Sequence, residues 1–529
     1  MKPINGEGTE RNGLRLLKKG RHGLLRAVFS RAGLITILML LQVALLVAGY
    51  GYLRDFLPHY YLVSTVFTGV MGLFLINSRH ESSFKITWLL VILLLPVFGG
   101  LLYLYTRSDL GHRIVRDRYA QLNRKSRDAL PQPAEALMDL EDEAPELQGL
   151  THYLSRAGGF PIYEGTETRY FPLGDELFPV LLEELEKAEQ FIFLEFFVIA
   201  EGEMWGRILE ILARKAARGV EVRLLYDGTN EFFTLPRDYP KRLAELGISC
   251  RVFAPIMPFV STHYNYRDHR KILVIDGKTA LTGGINLADE YINKASRFGH
   301  WKDSAVLLRG EAVRSFTRMF LQMWSMESGT LALGDYLNAP VPRLPKADGF
   351  VLPYADCPLD RERVGEWVYL DILNRARRYV HIMTPYLILD EEMETALRFA
   401  AERGVEVCLI LPGIPDKRLP YALAKTYYAS LLDSGVKIYE YSPGFVHAKV
   451  FVSDAREATV GTVNLDYRSL YHHFECGVYL SQTACIRDIE ADFQATREHC
   501  RAVTPETVKQ EKLWMKLAGV LMKVLAPLM

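Results

Sequence analysis

Two short segments of the chain repeat one arrangement of side chains that could do chemistry. The first segment reads DHRKILVID and the second reads VHAKVFVSD. Each contains a histidine, a lysine two residues later and an aspartate five residues after the lysine: His269, Lys271 and Asp276 in the first, and His447, Lys449 and Asp454 in the second. On an extended strand, side chains two residues apart point to the same face. Each segment therefore predicts an imidazole and an ammonium group that act together.

These groups suit the transfer of a phosphodiester. Such a reaction needs a nucleophile, a proton donor for the leaving oxygen and positive charge around the phosphoryl oxygens. One neutral imidazole can attack phosphorus, an imidazolium on the opposite side can protonate the leaving oxygen, and the two lysines can hold the non-bridging oxygens. Asn286 in GGIN and Asn464 in GTVN follow the two motifs and could hold the same oxygens. We therefore predict a catalytic site that uses neither a metal nor an organic cofactor.

Four acidic residues accompany the motifs. Asp303 lies 34 residues after His269, and Glu475 lies 28 residues after His447, each opening an apolar strand that could run beside the His-Lys strand. A carboxylate on the second ring nitrogen fixes the tautomer of a catalytic histidine. We predict this orienting role for Asp303 and Glu475. Asp276 and Asp454 belong to the motif, but they end apolar strands, where a carboxylate often binds a turn, so we expect them to be structural.

The sequence around the motifs is duplicated. ARKAARGVEVRLLYDG precedes the first motif and FAAERGVEVCLILPG precedes the second, within the same order of strands and amphipathic helices. This order predicts two α/β sandwich domains, at 151–335 and 336–504, which must face each other so that each contributes one His-Lys pair. A polar linker is expected at 107–150, and an amphipathic helix at 505–529, whose apolar face could dock on the domain or lie on a membrane surface.

The N-terminal part of the chain is different in character. A basic tail at 1–31 precedes a hydrophobic region at 32–106, in which the stretches 32–53, 60–76 and 86–105 are each candidate membrane spans. The region predicts two or three transmembrane helices and a multi-pass protein. Lys and Arg are concentrated both before and after it, and the positive-inside rule favours a cytoplasmic catalytic part.

The overall composition excludes some classes of partner and site. Lys plus Arg and Asp plus Glu are equal at 63 each, so no general basic excess predicts nucleic acid as a partner. The six cysteines show no CxxC pair and no zinc-binding spacing, which argues against a disulfide framework or a metal site.

The doubled His-x-Lys-x4-Asp motif resembles that of the phospholipase D superfamily. The hydrophobic N-terminal region, HWKD and NLDYRSLYHHFE make the chain more closely similar to the bacterial cardiolipin synthases. That resemblance implies a phospholipase D-like fold, His269 as the nucleophile, and His447 as the general acid and later the general base. It implies transfer of a phosphatidyl group from one phosphatidylglycerol to another, with release of glycerol. His472 and His473 depart from the Leu-Asn that many such synthases carry before Phe-Glu.

Three alternatives share parts of this pattern. A phospholipase D or a phosphatidyltransferase with another acceptor would use the same catalytic residues. A membrane-bound nuclease would cut the same kind of bond, although balanced charge disfavours it. A non-catalytic membrane scaffold is disfavoured because both His-Lys pairs are intact. The sequence does not indicate an oligomeric state.

Overall fold

The N-terminal region forms a small helical unit. The computed structural model describes residues 14–16, 44, 47–49, 51–52, 60–78, 80–95, 98–107, 110–255, 266–341, 347–360 and 362–528. Three helices, α1 (Tyr60–Ile76), α2 (Ser82–Leu94) and α3 (Phe98–Arg107), enclose a cluster of buried apolar side chains. The basic tail 1–31 and the first candidate span, 32–53, lie almost entirely outside the described residues. Among the residues that are described, no helix combines the length and the apolar character that crossing a bilayer requires.

The predicted span 86–105 is not one continuous helix. It is divided between α2 and α3, and Leu95 between them has φ −126° and ψ 71°. Leu95 precedes Pro96, and a proline ring disfavours the helical conformation of the residue before it. After the break α3 packs closely against α2. The approach is so close that a Cβ atom at Gly99 would lie only 2.7 Å from the carbonyl oxygen of Val91.

The segment 107–150, expected to be a linker, is largely helical. It contains α4 (Leu110–Arg127) and α5 (Ala134–Glu143), and α6 (Gln148–Gly158) follows directly. Leu122 and Leu140 from these helices are buried in the core of the catalytic part. Apolar residues recur every three to four positions in this segment, as in an amphipathic helix, but its many acidic and proline residues make that pattern hard to recognise in the sequence. The prediction of a linker here was wrong.

The duplicated α/β fold predicted from the sequence is confirmed. The first half contains a seven-stranded sheet in the order β1-β9-β7-β6-β2-β3-β4. Its strands are β1 (Glu167–Phe171), β2 (Phe191–Phe196), β3 (Glu221–Asp227), β4 (Ser249–Phe253), β6 (Lys271–Ile275), β7 (Thr279–Gly283) and β9 (Ala305–Arg309), while β5 (Arg267–Asp268) and β8 (His300–Lys302) lie outside it. Its helices are α7 (Gly174–Glu186), α8 (Glu203–Ala217), α9 (Asn230–Phe233), α10 (Tyr239–Ala244), α11 (Val313–Trp324) and α12 (Gly334–Leu337).

The second half repeats this strand order as β10-β17-β16-β15-β11-β12-β13, with β18 added at the edge. Its strands are β10 (Phe350–Asp356), β11 (Tyr379–Met383), β12 (Glu406–Pro412), β13 (Lys437–Tyr441), β14 (Gly444–Val446), β15 (Val450–Ser453), β16 (Glu457–Gly461), β17 (His473–Ser481) and β18 (Cys500–Ala502). Its helices are α13 (Val364–Arg375), α14 (Glu391–Glu402), α15 (Arg418–Asp433), α16 (Tyr467–Tyr471) and α17 (Ile486–Glu498), followed by α18 (Pro505–Lys509) and α19 (Leu513–Leu525).

The two sheets share one hydrophobic core. Helix α11 is buried along most of its length and contacts β2, β6 and β7 of the first sheet as well as β10 of the second. Two short strands also cross between the halves: β5 pairs with β17, and β14 pairs with β8, both in parallel. The halves are therefore joined both by packing and by backbone hydrogen bonds.

The C-terminal helix α19 packs against α15 and touches the N-terminal unit. A Cβ atom at Gly519 would lie 2.5 Å from the carbonyl oxygen of Ala422, so the two helices approach closely. The hydroxyl of Thr87 in α2 donates to the carbonyl of Val524 at 2.6 Å. The apolar residues Leu513, Leu517 and Leu521 of α19 remain exposed.

The motif aspartates tie strand ends to loops. Asp276 accepts hydrogen bonds from the backbone N–H groups of Glu189, Gln190 and Phe191, each at 2.8 Å. Asp454 makes the equivalent three bonds to residues 377–379. Both aspartates have positive φ, 53° and 54°. Five residues of strand place Asp276 about 16 Å from Lys271, which supports a structural role.

We predict that Asp276→Ala lowers stability markedly. The substitution leaves the buried N–H of Phe191 without an acceptor and places alanine at a positive φ, together costing about 2–3 kcal/mol. We expect the melting temperature of the full chain in detergent to fall by about 5 °C or more. Asp276→Asn is the matched control, because the amide oxygen still accepts and asparagine tolerates positive φ. An alanine variant that melts with the asparagine variant would contradict this account.

Candidate active site

Each motif histidine is anchored by its backbone to the opposite half. His269 lies between β5 and β6, and its backbone N–H donates to the carbonyl of Phe474 at 2.9 Å. His447 lies between β14 and β15, and its N–H donates to the carbonyl of Lys302 at 2.7 Å. These bonds continue the β5–β17 and β14–β8 pairings by one residue. The pairings therefore place His269 beside the residue that follows Phe474, and His447 beside the residue that follows Lys302.

Those next residues are the two predicted orienting acids. His269 Nδ1 lies 3.0 Å from each carboxylate oxygen of Glu475, and His447 Nδ1 lies 2.6 Å from Asp303 Oδ2. The sequence predicts that each acid opens a strand that could run beside the His-Lys strand. The structure differs, because β9 pairs with β7 and β17 pairs with β16. Each acid thus orients the histidine of the other half.

Asp303 is held as an anion. Burial alone would raise its pKa, but the charges of His447 and Lys449 and the hydrogen bonds that it accepts hold the pKa below its ordinary value. The N–H of Ser304 donates to Oδ1 at 2.8 Å. Gly284 gives the carboxylate room, since a Cβ atom there would lie 2.0 Å from Oδ1. An ionised Asp303 fixes the proton of His447 on Nδ1 and stabilises an imidazolium.

Glu475 has a different environment. Burial raises its pKa well above the ordinary value, and the charge of Lys271 and the hydrogen bond from the Thr462 hydroxyl only partly offset this effect. Thr462 is the second-half counterpart of Gly284, so a hydroxyl donor stands where the first half has a glycine. The two His-acid pairs are therefore not electrostatically equivalent.

The two motif lysines are almost completely buried beside the histidines. The ammonium group of Lys271 donates to the carbonyl of His269 at 2.6 Å, and that of Lys449 donates to the carbonyl of His447. Burial lowers the pKa of Lys271 to about 8 and that of Lys449 to about 7. An anion bound between them would restore full charge on both groups.

Both histidines are kept neutral in the free protein. Burial lowers the pKa of His269 well below its usual value, and the charges of Lys271, His473 and Lys449 lower it further. Burial and Lys449 lower the pKa of His447 to about 4, against the opposing effect of Asp303. With the Nδ1 proton directed at an acid, each Nε2 carries a lone pair.

The predicted asparagines also lie in buried positions near the motifs. Asn286 Oδ1 accepts from the N–H of Val198 at 3.0 Å, and its Nδ2 donates to the Tyr291 hydroxyl at 2.7 Å. The Tyr291 ring packs on His447, with ring centres 5.5 Å apart. The Oδ1 atom of Asn464 has no hydrogen-bond partner among the described residues.

Aromatic rings that the sequence analysis did not assign complete the walls of the site. The Trp301 ring lies 5.4 Å from His447, and the His473 ring lies 5.2 Å from His269. Phe197 packs against His269 with ring centres 4.9 Å apart, and its ring lies 6.4 Å from that of His473. Aligning HWKD with HHFE would have paired Trp301 with His473, each two residues before its acid. That alignment could have predicted that Trp301 and His473 occupy equivalent positions beside the two motif histidines.

Together the two halves form one site, in which the charges of Lys449 and His447 from the second half lower the pKa of His269 from the first. It offers two imidazole lone pairs, each backed by an acid, and two ammonium groups. One imidazole can attack phosphorus while the other exchanges a proton with the oxygen that leaves or enters. Both halves are needed for this chemistry, because the acid that contacts each motif histidine belongs to the opposite half.

Comparisons with known proteins show which family and which fold the chain shares. A family profile described as "Cardiolipin synthase, PLD-like domain" matches residues 181–324 and 369–497. A second profile, for a phospholipase D-nuclease N-terminal segment, matches residues 67–107. The crystal structure of phosphatidylserine synthase from Haemophilus influenzae Rd KW20 superposes with a TM-score of 0.51 at 16% identity, covering 68% of this chain and 95% of that one. It shares the fold.

Curated relatives extend over most of the chain. A cardiolipin synthase of Alkalihalophilus pseudofirmus is 33% identical over 89% of this chain and 93% of its own length. One of Geobacillus sp. (strain WCH70) is 35% identical over 85% of this chain and 90% of its own length. An uncharacterized protein of Streptococcus mutans is 55% identical over 86% of this chain and 99% of its own length. The chain belongs to the phospholipase D-like cardiolipin synthase family.

Proposed function

We propose that this protein is a cardiolipin synthase, a phosphatidyltransferase that joins two phosphatidylglycerol molecules and releases glycerol. The observation that carries the chemistry is the crossed arrangement, in which each half supplies a buried His-Lys pair and the acid that contacts the histidine of the other half. The choice of substrate follows from the cardiolipin synthases that this chain resembles over most of its length.

In the first half-reaction, His269 Nε2 attacks the phosphorus of the donor phosphatidylglycerol. The negative charge of the bound phosphodiester favours a protonated His447, which takes up a proton from solvent on Nε2 as the donor binds. The bond between phosphorus and the glycerol oxygen then breaks, and His447 passes this proton to the oxygen, which leaves as glycerol. Lys271 and Lys449 hold the non-bridging oxygens, and Asn286 and Asn464 assist them. The phosphatidyl group is then bound to His269.

In the second half-reaction, His447 acts as a base. It removes a proton from a hydroxyl of the acceptor phosphatidylglycerol, whose oxygen attacks phosphorus as the bond to His269 Nε2 breaks. The product is cardiolipin, His269 is again a free imidazole, and His447 again carries the Nε2 proton with which the first half-reaction began. If water takes the place of the acceptor, the product is phosphatidic acid.

The different acids support this division of roles between two similar histidines. His447 contacts Asp303, whose pKa lies below its ordinary value, so this pair is suited to carry the proton as an imidazolium. His269 contacts Glu475, whose pKa is raised, and the pKa of His269 itself is strongly lowered. An imidazole that resists protonation keeps its lone pair and is the better nucleophile.

The proposal includes a location at the membrane, with the N-terminal region as a multi-pass anchor and the catalytic halves on the cytoplasmic side. Exposed apolar residues on three helices support contact with lipid: Leu62, Val66, Val70 and Leu73 on α1, Ile86, Leu93 and Leu94 on α2, and Leu513, Trp514, Leu517 and Leu521 on α19. Because α19 adjoins α2, these surfaces lie next to each other.

We predict that the purified full chain converts phosphatidylglycerol, as the sole lipid in vesicles, into cardiolipin and an equal molar amount of glycerol. Mass spectrometry of the lipids and an enzymatic glycerol assay measure both products. The His269→Ala protein is the control and should form neither. Phosphatidic acid as the main product would identify a phospholipase D instead, and no consumption of phosphatidylglycerol would contradict the proposed function.

We predict that the two histidines can be distinguished with a phosphatidyl donor whose phenolate leaves without protonation. The His447→Ala protein should still form phosphatidyl-His269 but should fail to deprotonate an acceptor, so that the covalent intermediate accumulates. The His269→Ala protein should form none. Mass spectrometry of peptides kept at alkaline pH detects the acid-labile phosphohistidine. Label on His447 in the His269→Ala protein would reverse the assignment.

The same donor tests the crossed pairing of the acids. Because Asp303 supports His447, Asp303→Asn should behave like His447→Ala and accumulate the intermediate. Because Glu475 supports His269, Glu475→Gln should form the intermediate slowly. With phosphatidylglycerol, we expect kcat to fall by about 100-fold or more in both variants.

Pairing within each half would exchange the two phenotypes, so the result separates the two arrangements. Thermal melting of both amide variants serves as the control for folding. Near-normal turnover in both proteins would show that these acids do not assist the histidines.

A further inference from the structure

His473 is a buried histidine to which the proposed mechanism gives no role. Its side chain is 8% exposed, and neither ring nitrogen has a hydrogen-bond partner among the described residues. The corresponding position in the other half is Trp301, whose ring packs on His447 as that of His473 packs on His269. Packing alone therefore needs a ring here, but it does not need two nitrogens.

The nitrogens of His473 lie close to two other metal-binding groups. Ligand atoms of His269, His473 and Glu475 all lie within 4.8 Å of one another, and the three residues are buried. Glu475 Oε1 lies 3.0 Å from His269 Nδ1 and 3.4 Å from His473 Nδ1. Two ligands of a tetrahedral zinc ion, at bond lengths of about 2.0–2.1 Å, are about 3.3 Å apart. The observed separations are close to that value.

We propose that His269, His473 and Glu475 form a binding site for Zn²⁺ that switches the enzyme off. Two imidazoles and one carboxylate are a common set of zinc ligands, and a water molecule would complete the tetrahedron. The metal would take no part in catalysis, which is proposed to use none. It uses the catalytic pair of one half and a third ligand that the other half lacks.

The inhibition follows from the tautomer of His269. In the free protein its Nδ1 carries the proton that is directed at Glu475, and Nε2 has the lone pair that attacks phosphorus. A metal bound at Nδ1 takes the lone pair of that nitrogen, and the proton then resides on Nε2. The nucleophile is thereby lost, and Glu475 binds the metal as a carboxylate after releasing any proton to solvent.

The charge around the site restricts which metal can bind. Lys271, Lys449, Arg267 and Arg468 act on one or both of the two histidines, and their positive charge opposes a cation. Only a metal with strong bonds to imidazole nitrogen overcomes this repulsion. Zn²⁺ meets that requirement, whereas Mg²⁺ and Ca²⁺ prefer oxygen ligands.

The inhibitory effect rests on the proposed role of His269, but metal binding can be measured independently. The full chain is stripped with EDTA, dialysed, and titrated with Zn²⁺ against a chromophoric chelator. Co²⁺ in place of Zn²⁺ reports a tetrahedral site by its visible absorption. In parallel, formation of phosphatidyl-enzyme from the phenolate donor is measured with and without Zn²⁺, each protein being compared with its own zinc-free rate.

Two variants remove the third ligand in different ways. His473→Asn introduces the residue that many similar synthases carry, and His473→Phe keeps a ring against His269. We expect both to weaken zinc binding at least about tenfold and to lose zinc inhibition to the same extent. Mg²⁺ should not inhibit the unaltered chain, and EDTA should not reduce its activity.

Two outcomes overturn the proposal. Zinc binding that is equally tight in both variants would place the metal elsewhere, for instance on a cysteine. Zinc bound through His473 without slower formation of phosphatidyl-enzyme would rule out the tautomer effect. A chain that binds zinc through His473 but makes no cardiolipin would contradict the proposed function and leave the metal site standing.

Discussion

The whole site depends on hydrogen bonds that cross between the two halves. Each motif histidine contacts an acid of the opposite half, and the short parallel pairings β5–β17 and β14–β8 set the register that makes this possible. A shift of one residue in either pairing would direct the imidazole to a neighbouring side chain. The shared core and the buried helix α11 hold the two sheets in the position that this register requires.

The second constraint is an excess of buried positive charge. Burial and neighbouring positive charges lower the pKa of both motif histidines, whereas the pKa of Asp303 is lowered and that of Glu475 is raised. The lowered pKas of Lys449 and His447 show how poorly the free pocket tolerates further charge. A phosphodiester anion relieves that situation, because it supplies the missing negative charge at the place where the ammonium groups meet.

Much of this arrangement could be predicted from the sequence, because residue types and spacing reveal which side chains share a strand face. The repeated motif identified the histidines, the lysines and a duplicated α/β fold, and it suggested both acids. The crossed pairing could not be predicted in this way, since spacing within a strand does not reveal which strand lies beside it. The helices of 107–150 were not predicted, because the many acidic residues of this segment made its apolar positions hard to recognise. The break at Leu95 follows from Pro96, which disfavours a helical conformation of the residue before it.

Joining the two halves in one polypeptide has an evolutionary consequence. A symmetric pair of identical subunits would have to use the same residue at both copies of every position. After fusion the two copies could diverge. At corresponding positions of the two halves, Gly284 is replaced by Thr462, Asp303 by Glu475 and Trp301 by His473. Duplication within one chain therefore allows the two motif histidines to have different surroundings, while the crossed bonds make each of them depend on the other half.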